Sequence, residues 1–133
     1  MLILLCIVGI NLSHAKIDID ELMKSAVGVW LFDDGAGKVA KDISKEGNDG
    51  KVVKAKWVKG KFGKALDFEE SSESYLQDSY IGRGEDWEEF TIEAWVRQES
   101  MPESGDMHYI ASAFNPVRFW LYIDPDGYVN FNF

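Results

Sequence analysis

Cysteine is nearly missing from this sequence: Cys6 is the only one in 133 residues, and it sits inside an apolar N-terminal run. A disulfide framework within the chain is therefore excluded, and the fold must rest on its core and any bound metal. Positive charge is also scarce. Fourteen Lys and Arg stand against 23 Asp and Glu, for a net charge of −9. A nucleic-acid surface needs clustered Lys and Arg, and so does an anionic membrane, so neither is an expected partner. The acidic balance fits a soluble extracellular chain or a cation-binding one. Plain solubility is the simpler explanation. Histidine is rare as well. His14 lies in the N-terminal leader, which leaves His108, read as a surface or edge residue. There is no Gly-x-Ser-x-Gly motif, and no glycine loop opens a helix over a phosphate. Gly35-Ala36-Gly37 and Gly82-Arg83-Gly84 read more simply as turns.

Aromatic residues, by contrast, are plentiful: they make up 14 % of the chain, with five Trp. Rings pack well on pleated surfaces, and all-β sandwiches often carry such a load.

Met1 to Leu12 is apolar apart from Gly9 and Asn11. A membrane-spanning helix needs roughly 20 residues, so this run is too short to cross. It matches the apolar stretch of an export signal. Ser13-His14-Ala15 places small residues three and one before a cut after Ala15, although no Lys or Arg precedes Lys16. Residues 1–15 are thus expected to be a signal peptide, with no membrane insertion once it is removed. The competing reading is a buried N-terminal strand. Residues 16–26 read as a spacer, with Leu22, Met23 and Ala26 on one stripe of a short helical turn.

From Val27 onward the pattern is that of strands. Val27–Phe32 is strongly β-prone and ends at Asp33-Asp34-Gly35-Ala36-Gly37, which must turn. Asp42–Gly50 is a polar loop. Lys51–Trp57 is a second strand candidate. Gly60-Lys61-Phe62-Gly63 is a turn leading to Ala65–Phe68, and another strand starts near Tyr75-Leu76. The clearest element is Phe90–Val96. Phe90, Ile92, Ala94 and Val96 fall at period two and face a core, while Thr91, Glu93, Trp95 and Arg97 take the other face. His108–Phe114 and Val117–Ile123 follow. Asp124-Pro125-Asp126-Gly127 is a hairpin turn, and Tyr128–Phe133 pairs back. The expected fold is an all-β antiparallel sandwich, a jelly roll. Phe131 and Phe133 alternate up to the last residue. An unprotected apolar edge invites aggregation, so a C-terminal truncation is part of the expectation.

The order of these signals resembles the laminin-G-like, concanavalin A-like family. The residues that carry the likeness are Trp30-Leu31-Phe32-Asp33-Asp34-Gly35-Ala36-Gly37, and Asp42-Ile43-Ser44 with Gly47-Asn48-Asp49-Gly50. They continue with Gly60 to Phe68 and with Phe90 to Val96. The likeness spans residues 27–133, a partial domain. It implies two antiparallel sheets face to face and a secreted or cell-surface setting among other domains of a larger protein. It also implies glycan or protein ligands, with calcium in many members. Lys45-Glu46 interrupt the loop where the family continues Gly-Asn-Gly, and Glu69-Glu70 follow Phe68 where it often has Asp-Gly.

Three chemistries are open to these residues. Calcium takes six to eight oxygens, and Asp42, Asn48 and Asp49, with Glu69 or Glu70, could offer them. The competing reading is that Asp42 and Asn48 bond local amides, as turn residues do. Glu93, Trp95 and Arg97 line one strand face, where a ring beside hydrogen-bonding groups suits a sugar. Against that, Trp95 could pack under a loop while Glu93 pairs with Arg97. Glycosidase chemistry needs two carboxyls about 5–5.5 Å apart in a retaining enzyme. Glu89 and Glu93, four strand residues apart, would lie about 13 Å apart. The expectation is a non-catalytic extracellular module recognising glycan or protein. The alternative is a glycoside hydrolase or an accessory domain of one.

Overall fold

The computed structural model describes residues 2–8, 23–69, 73–77, 90–113 and 119–133. Strands account for about half of the described residues. The one helical turn among the described residues is Met23–Ser25. In chain order the strands are β1 (Leu2–Val8), β2 (Ala26–Trp30), β3 (Val39–Ala40), β4 (Gly50–Val53), β5 (Lys56–Lys59), β6 (Lys64–Asp67), β7 (Tyr75–Gln77), β8 (Thr91–Arg97), β9 (His108–Ala113), β10 (Phe119–Ile123) and β11 (Val129–Asn132). No helix among the described residues is long and apolar enough to cross a membrane.

The strands form three antiparallel sheets. In the first, β1 is central. One edge of β1 pairs with β8 along Leu2–Val8. The other edge meets β6 at Leu2 and Ile3, then β2 from Leu5 to Val8. β5 extends this sheet beyond β6. The second sheet runs β3-β4-β7 and the third β11-β10-β9.

One apolar cluster joins the first two sheets. Trp30, Phe32, Ala40, Val52 and Leu66 are buried at its centre, and Leu76, Ile92, Ala94 and Val96 pack against it. A Val, Leu, Ile or Phe side chain contributes roughly 1.5–3 kcal/mol when fully withdrawn from water. The inward set of β8 is thus Ile92, Ala94 and Val96, as period two predicts. Phe90, just before β8, links the first sheet to the third. Its ring lies 5.3 Å from Phe119, 5.9 Å from Phe131 and 5.4 Å from Phe133.

The Lys51–Trp57 run divides into two strands. Lys54 takes a left-handed φ of 56° and breaks it, so β4 joins the second sheet and β5 the first. The lysines at 51 and 54, three apart, cannot share one face of a straight strand. Ala26, expected in the spacer, is buried at the start of β2. Leu2–Val8, expected in the export signal, forms a strand of the first sheet. Ser13-His14-Ala15 and residues 16–22 of the spacer lie outside the described residues, as do Phe114, Val117 and Gly82-Arg83-Gly84.

Candidate functional site

The loop between β3 and β4 is organised around one carboxylate. Asp42 Oδ1 accepts the amide N–H of Val29 at 2.8 Å and of Ser44 at 2.8 Å. Its Oδ2 accepts the Ser44 hydroxyl at 2.6 Å and the Asn48 amide at 2.7 Å. Asn48 is equally engaged. Its side-chain amide donates to Val27 O at 2.7 Å, and its backbone carbonyl accepts the Trp30 indole N–H at 3.0 Å. Asp49 accepts the Asp42 amide and pairs with Lys41. The Lys41 ammonium, with help from the Asp42 amide, holds the Asp49 carboxyl below its ordinary range. Glu69, the third residue expected to hold calcium, pairs with Lys56. Glu70 lies outside the described residues. Among the described residues, no three metal-binding side chains come together. As arranged here, Asp42, Asn48 and Glu69 are each engaged by groups of the chain itself. They tie the loop to β2 and the β5–β6 hairpin to the segment after β6.

The outward face of β8 is different in kind. Glu93, Trp95 and Arg97 are all exposed, alternating with the half-buried Ile92, Ala94 and Val96. Trp95 keeps 56 % of its surface in solvent. Beside it stands Phe62, 63 % exposed, with ring centroids 5.5 Å apart and planes at 81°. The Lys61 ammonium sits 4.8 Å from the Trp95 ring centre and 5.3 Å from that of Phe62. Such edge-on ring pairs and ring–cation contacts each contribute roughly 0.5–1 kcal/mol at exposed sites.

The β5–β6 hairpin explains why Phe62 is there. Gly60 N–H donates to Gly63 O at 3.0 Å, closing a two-residue tip that carries only Lys61 and Phe62. Gly63 has φ +78°, and a Cβ there would stand 2.5 Å from Asp33 Oδ1. Any side chain there would be strained, so glycine suits the turn. Across the sheet, Ile3 pairs with both Leu66 and Val96, and Leu4 pairs with Trp95. β1 therefore sets the spacing between the hairpin and β8.

Arg97 pairs with Glu99 rather than Glu93. Its guanidinium holds the Glu99 carboxyl below the ordinary range. The sequence grouped Glu93, Trp95 and Arg97 correctly on one face but missed Phe62 and Lys61. A signal for them was present: a phenylalanine at the tip of a Gly-x-x-Gly turn has no route back into the core.

The other reactive candidates lie elsewhere. His108, on β9, is half-buried, with Nδ1 2.6 Å from Gln98 Nε2. Asp124 serves its turn, accepting the Asp126 amide at 3.1 Å, the Tyr128 amide at 2.9 Å and the Asn130 side chain at 2.8 Å. Glu89 lies outside the described residues. No family model, curated protein or solved structure matches the chain.

Proposed function

We propose that the chain is an extracellular, non-catalytic recognition module of the laminin-G-like jelly-roll type, binding a glycan on the Trp95–Phe62 face. The observation that carries this reading is the pair of large rings left in solvent, one on β8 and one at the tip of the β5–β6 hairpin. A sugar presents an apolar C–H face to a ring and hydroxyls at its rim. Trp95 offers the ring, and Glu93 and Arg97 stand on either side of it along β8 with acceptors and donors. Rigid aromatic anchors lose little conformational freedom on binding. The order of sequence motifs supports the jelly-roll arrangement.

The test is a glycan array followed by calorimetric titration of the best binder. Trp95→Ala should lose at least about tenfold in affinity, on the order of 1.4 kcal/mol, with its thermal unfolding retained. Binding untouched by Trp95→Ala, or no glycan bound by the unaltered chain, overturns the site. Release of reducing sugar by the unaltered chain overturns the non-catalytic reading in favour of a glycoside hydrolase.

A further inference from the structure

We propose that the face of the third sheet carrying Tyr109 and Tyr122 is a second binding site, one that takes an uncharged oligosaccharide. The register builds this face. On β10, Trp120 and Tyr122 alternate with Phe119, Leu121 and Ile123. Asn132 and Asn130 of β11 stand opposite Trp120 and Tyr122, and Ser112 and Tyr109 of β9 stand opposite them on the other side. Directly paired residues share a face, so these six lie together. The reverse face carries Phe119 and Phe131, whose rings lie 6.3 Å apart and both meet Phe90. Tyr109 and Ser112 could not share a face of a regular strand. Here Leu121 pairs with Ala111 and Tyr122 with Tyr109, which leaves Ile110 over as a bulge. The bulge brings Tyr109 against Tyr122, with ring centroids 5.8 Å apart and planes at 49°. Bulges recur at sheet edges and beside functional sites, where they re-aim a side chain.

The chemistry of the face selects its ligand. Tyr109, Ser112 and Asn132 are exposed, and Trp120, Tyr122 and Asn130 are half-buried. Surface positions are where Lys, Glu, Arg and Asp ordinarily stand, and 28 % of this chain is charged. All six residues are instead rings, amides or a hydroxyl. A cross-strand ring pair alone stabilises a sheet by roughly 0.2–1 kcal/mol. That accounts for Tyr109 and Tyr122, but not for Trp120 beside two asparagines and a serine. Tyr, Trp, Ser and Asn together are the make-up of surfaces that bind through rigid rings and adaptable hydrogen bonds. The polar groups are already set in place. Asn132 Nδ2 donates to the Tyr122 hydroxyl at 3.4 Å, and Asn130 Nδ2 donates to Asp124 Oδ2 at 2.8 Å and to Tyr128 O at 3.1 Å. Asp124, at the rim, gives its carboxylate to the turn. A polyanion would meet a chain of net charge −9 with no cation among the six, and a polycation would find no carboxylate among them. An uncharged sugar chain lays C–H faces on the rings and turns hydroxyls to the amides. The six include no Leu, Ile, Val or Met, so the face lacks the apolar pocket into which a protein partner's anchors sink. The Trp120 and Tyr122 rows lie about 7 Å apart along the strand, so the ligand extends over more than one sugar ring. None of these residues belongs to the Trp95 face, and the inference does not rest on that reading.

The probes are cellohexaose, mannohexaose and xylohexaose, with hexagalacturonate as the charged control. Two-dimensional NMR of the unaltered full chain reads the side-chain amides of Asn130 and Asn132 and the indole N–H groups of Trp120 and Trp95 as separate signals. At least one neutral hexamer should shift Asn130, Asn132 and Trp120 saturably at millimolar concentration, and hexagalacturonate should not. Tyr109→Ala should weaken that binding at least about tenfold, Tyr109→Phe should keep most of it, and Trp95→Ala should leave it unchanged. Thermal melts check that each variant is folded. If no neutral hexamer moves these signals, or hexagalacturonate moves them as strongly, the inference fails. It fails equally if Tyr109→Ala folds and binds as the unaltered chain does. Shifts confined to the Trp95 indole also overturn it, and they leave the Trp95 reading standing. The shift map needs no variant, so it decides the matter even where Tyr109→Ala does not fold.

Discussion

The Asp42 loop and the Trp95 face are both conspicuous in the sequence, yet they lie at opposite ends of one scale. Asp42 spends its carboxylate on four donors of its own chain, and Asn48 spends its amide and carbonyl likewise. Trp95 and Phe62 leave more than half their surfaces to solvent and touch mainly each other and Lys61. The difference teaches how to separate structure from recognition. A polar residue whose bonding capacity is filled internally builds the fold, while a large apolar ring held rigidly in water has surface left to give a partner.

The largest effect should come from breaking the loop. Asp42→Ala strands the amides of Val29, Ser44 and Asn48 in a partly buried setting. Leaving such donors unsatisfied costs about 1–3 kcal/mol each at most, and water reaching the loop offsets part of it, so we expect about 3 kcal/mol lost in total. Urea unfolding checks this, with glycan affinity of the folded fraction unchanged. A loss under about 0.5 kcal/mol, the range of ordinary surface substitutions, would mean that the four bonds do not hold the loop.

The next effect sharpens the other side. Phe62→Ala removes the edge-on partner of Trp95 without touching the core. Stability should fall by no more than about 1 kcal/mol, the worth of an exposed ring pair. Glycan affinity should fall severalfold, because Trp95 loses the neighbour that fixes its plane. A Phe62→Tyr variant should keep most of both, which separates ring geometry from hydrophobic area.

Sequence reading went furthest where one period governed one strand. The alternation of Ile92, Ala94 and Val96 with Glu93, Trp95 and Arg97 is the arrangement in β8, because a single turn of the backbone places neighbours on opposite faces. The Asp124-Pro125-Asp126-Gly127 turn was equally legible, since φ at Gly127 is +85° and the Asp124 carboxylate closes it locally. Legibility failed where one residue's conformation or a distant contact decided the outcome. Lys54 breaks a continuous apolar–basic run by taking a left-handed φ that composition does not announce. Phe62 meets Trp95, 33 positions away, only because β1 lies between their strands. The apolar leader was ambiguous by nature: an export signal and a buried strand ask for the same side chains.

Acid should act on the structural carboxylates and spare the aromatic face. Desolvation pushes the Asp124 carboxyl up, but the Tyr128, Asp126 and Gly127 amides and the Asn130 side chain outweigh it and hold it below its ordinary 3.8. Asp49 is held below the same value by Lys41. A carboxyl depressed on folding lends stability above its unfolded value and loses it as pH falls through the folded one. The unaltered chain should therefore lose stability more steeply below about pH 4 than Asp124→Asn or Asp49→Asn. Trp95→Ala should keep the unaltered slope. Thermal melts at pH 5, 3 and 2 measure it; equal slopes for all four proteins would remove these carboxylates from the acid response.

The smallest expected effect is that of calcium. The ion needs six to eight oxygens, with carboxylates among them. To recruit Asp42 it would have to displace Val29 N–H, Ser44 N–H, the Ser44 hydroxyl and Asn48 N–H together, and those are the bonds that fasten the loop to β2. Glu69 would have to leave Lys56. The gain from coordination is then set against the loss of the loop's own bonds. Thermal unfolding with millimolar calcium and with chelator should agree within about 1 °C, equivalent to a few tenths of a kcal/mol for a domain of this size. Glycan affinity should be the same in both. A rise of several degrees that Asp42→Asn abolishes would move Asp42 from the structural side of the comparison to the ligand-binding side.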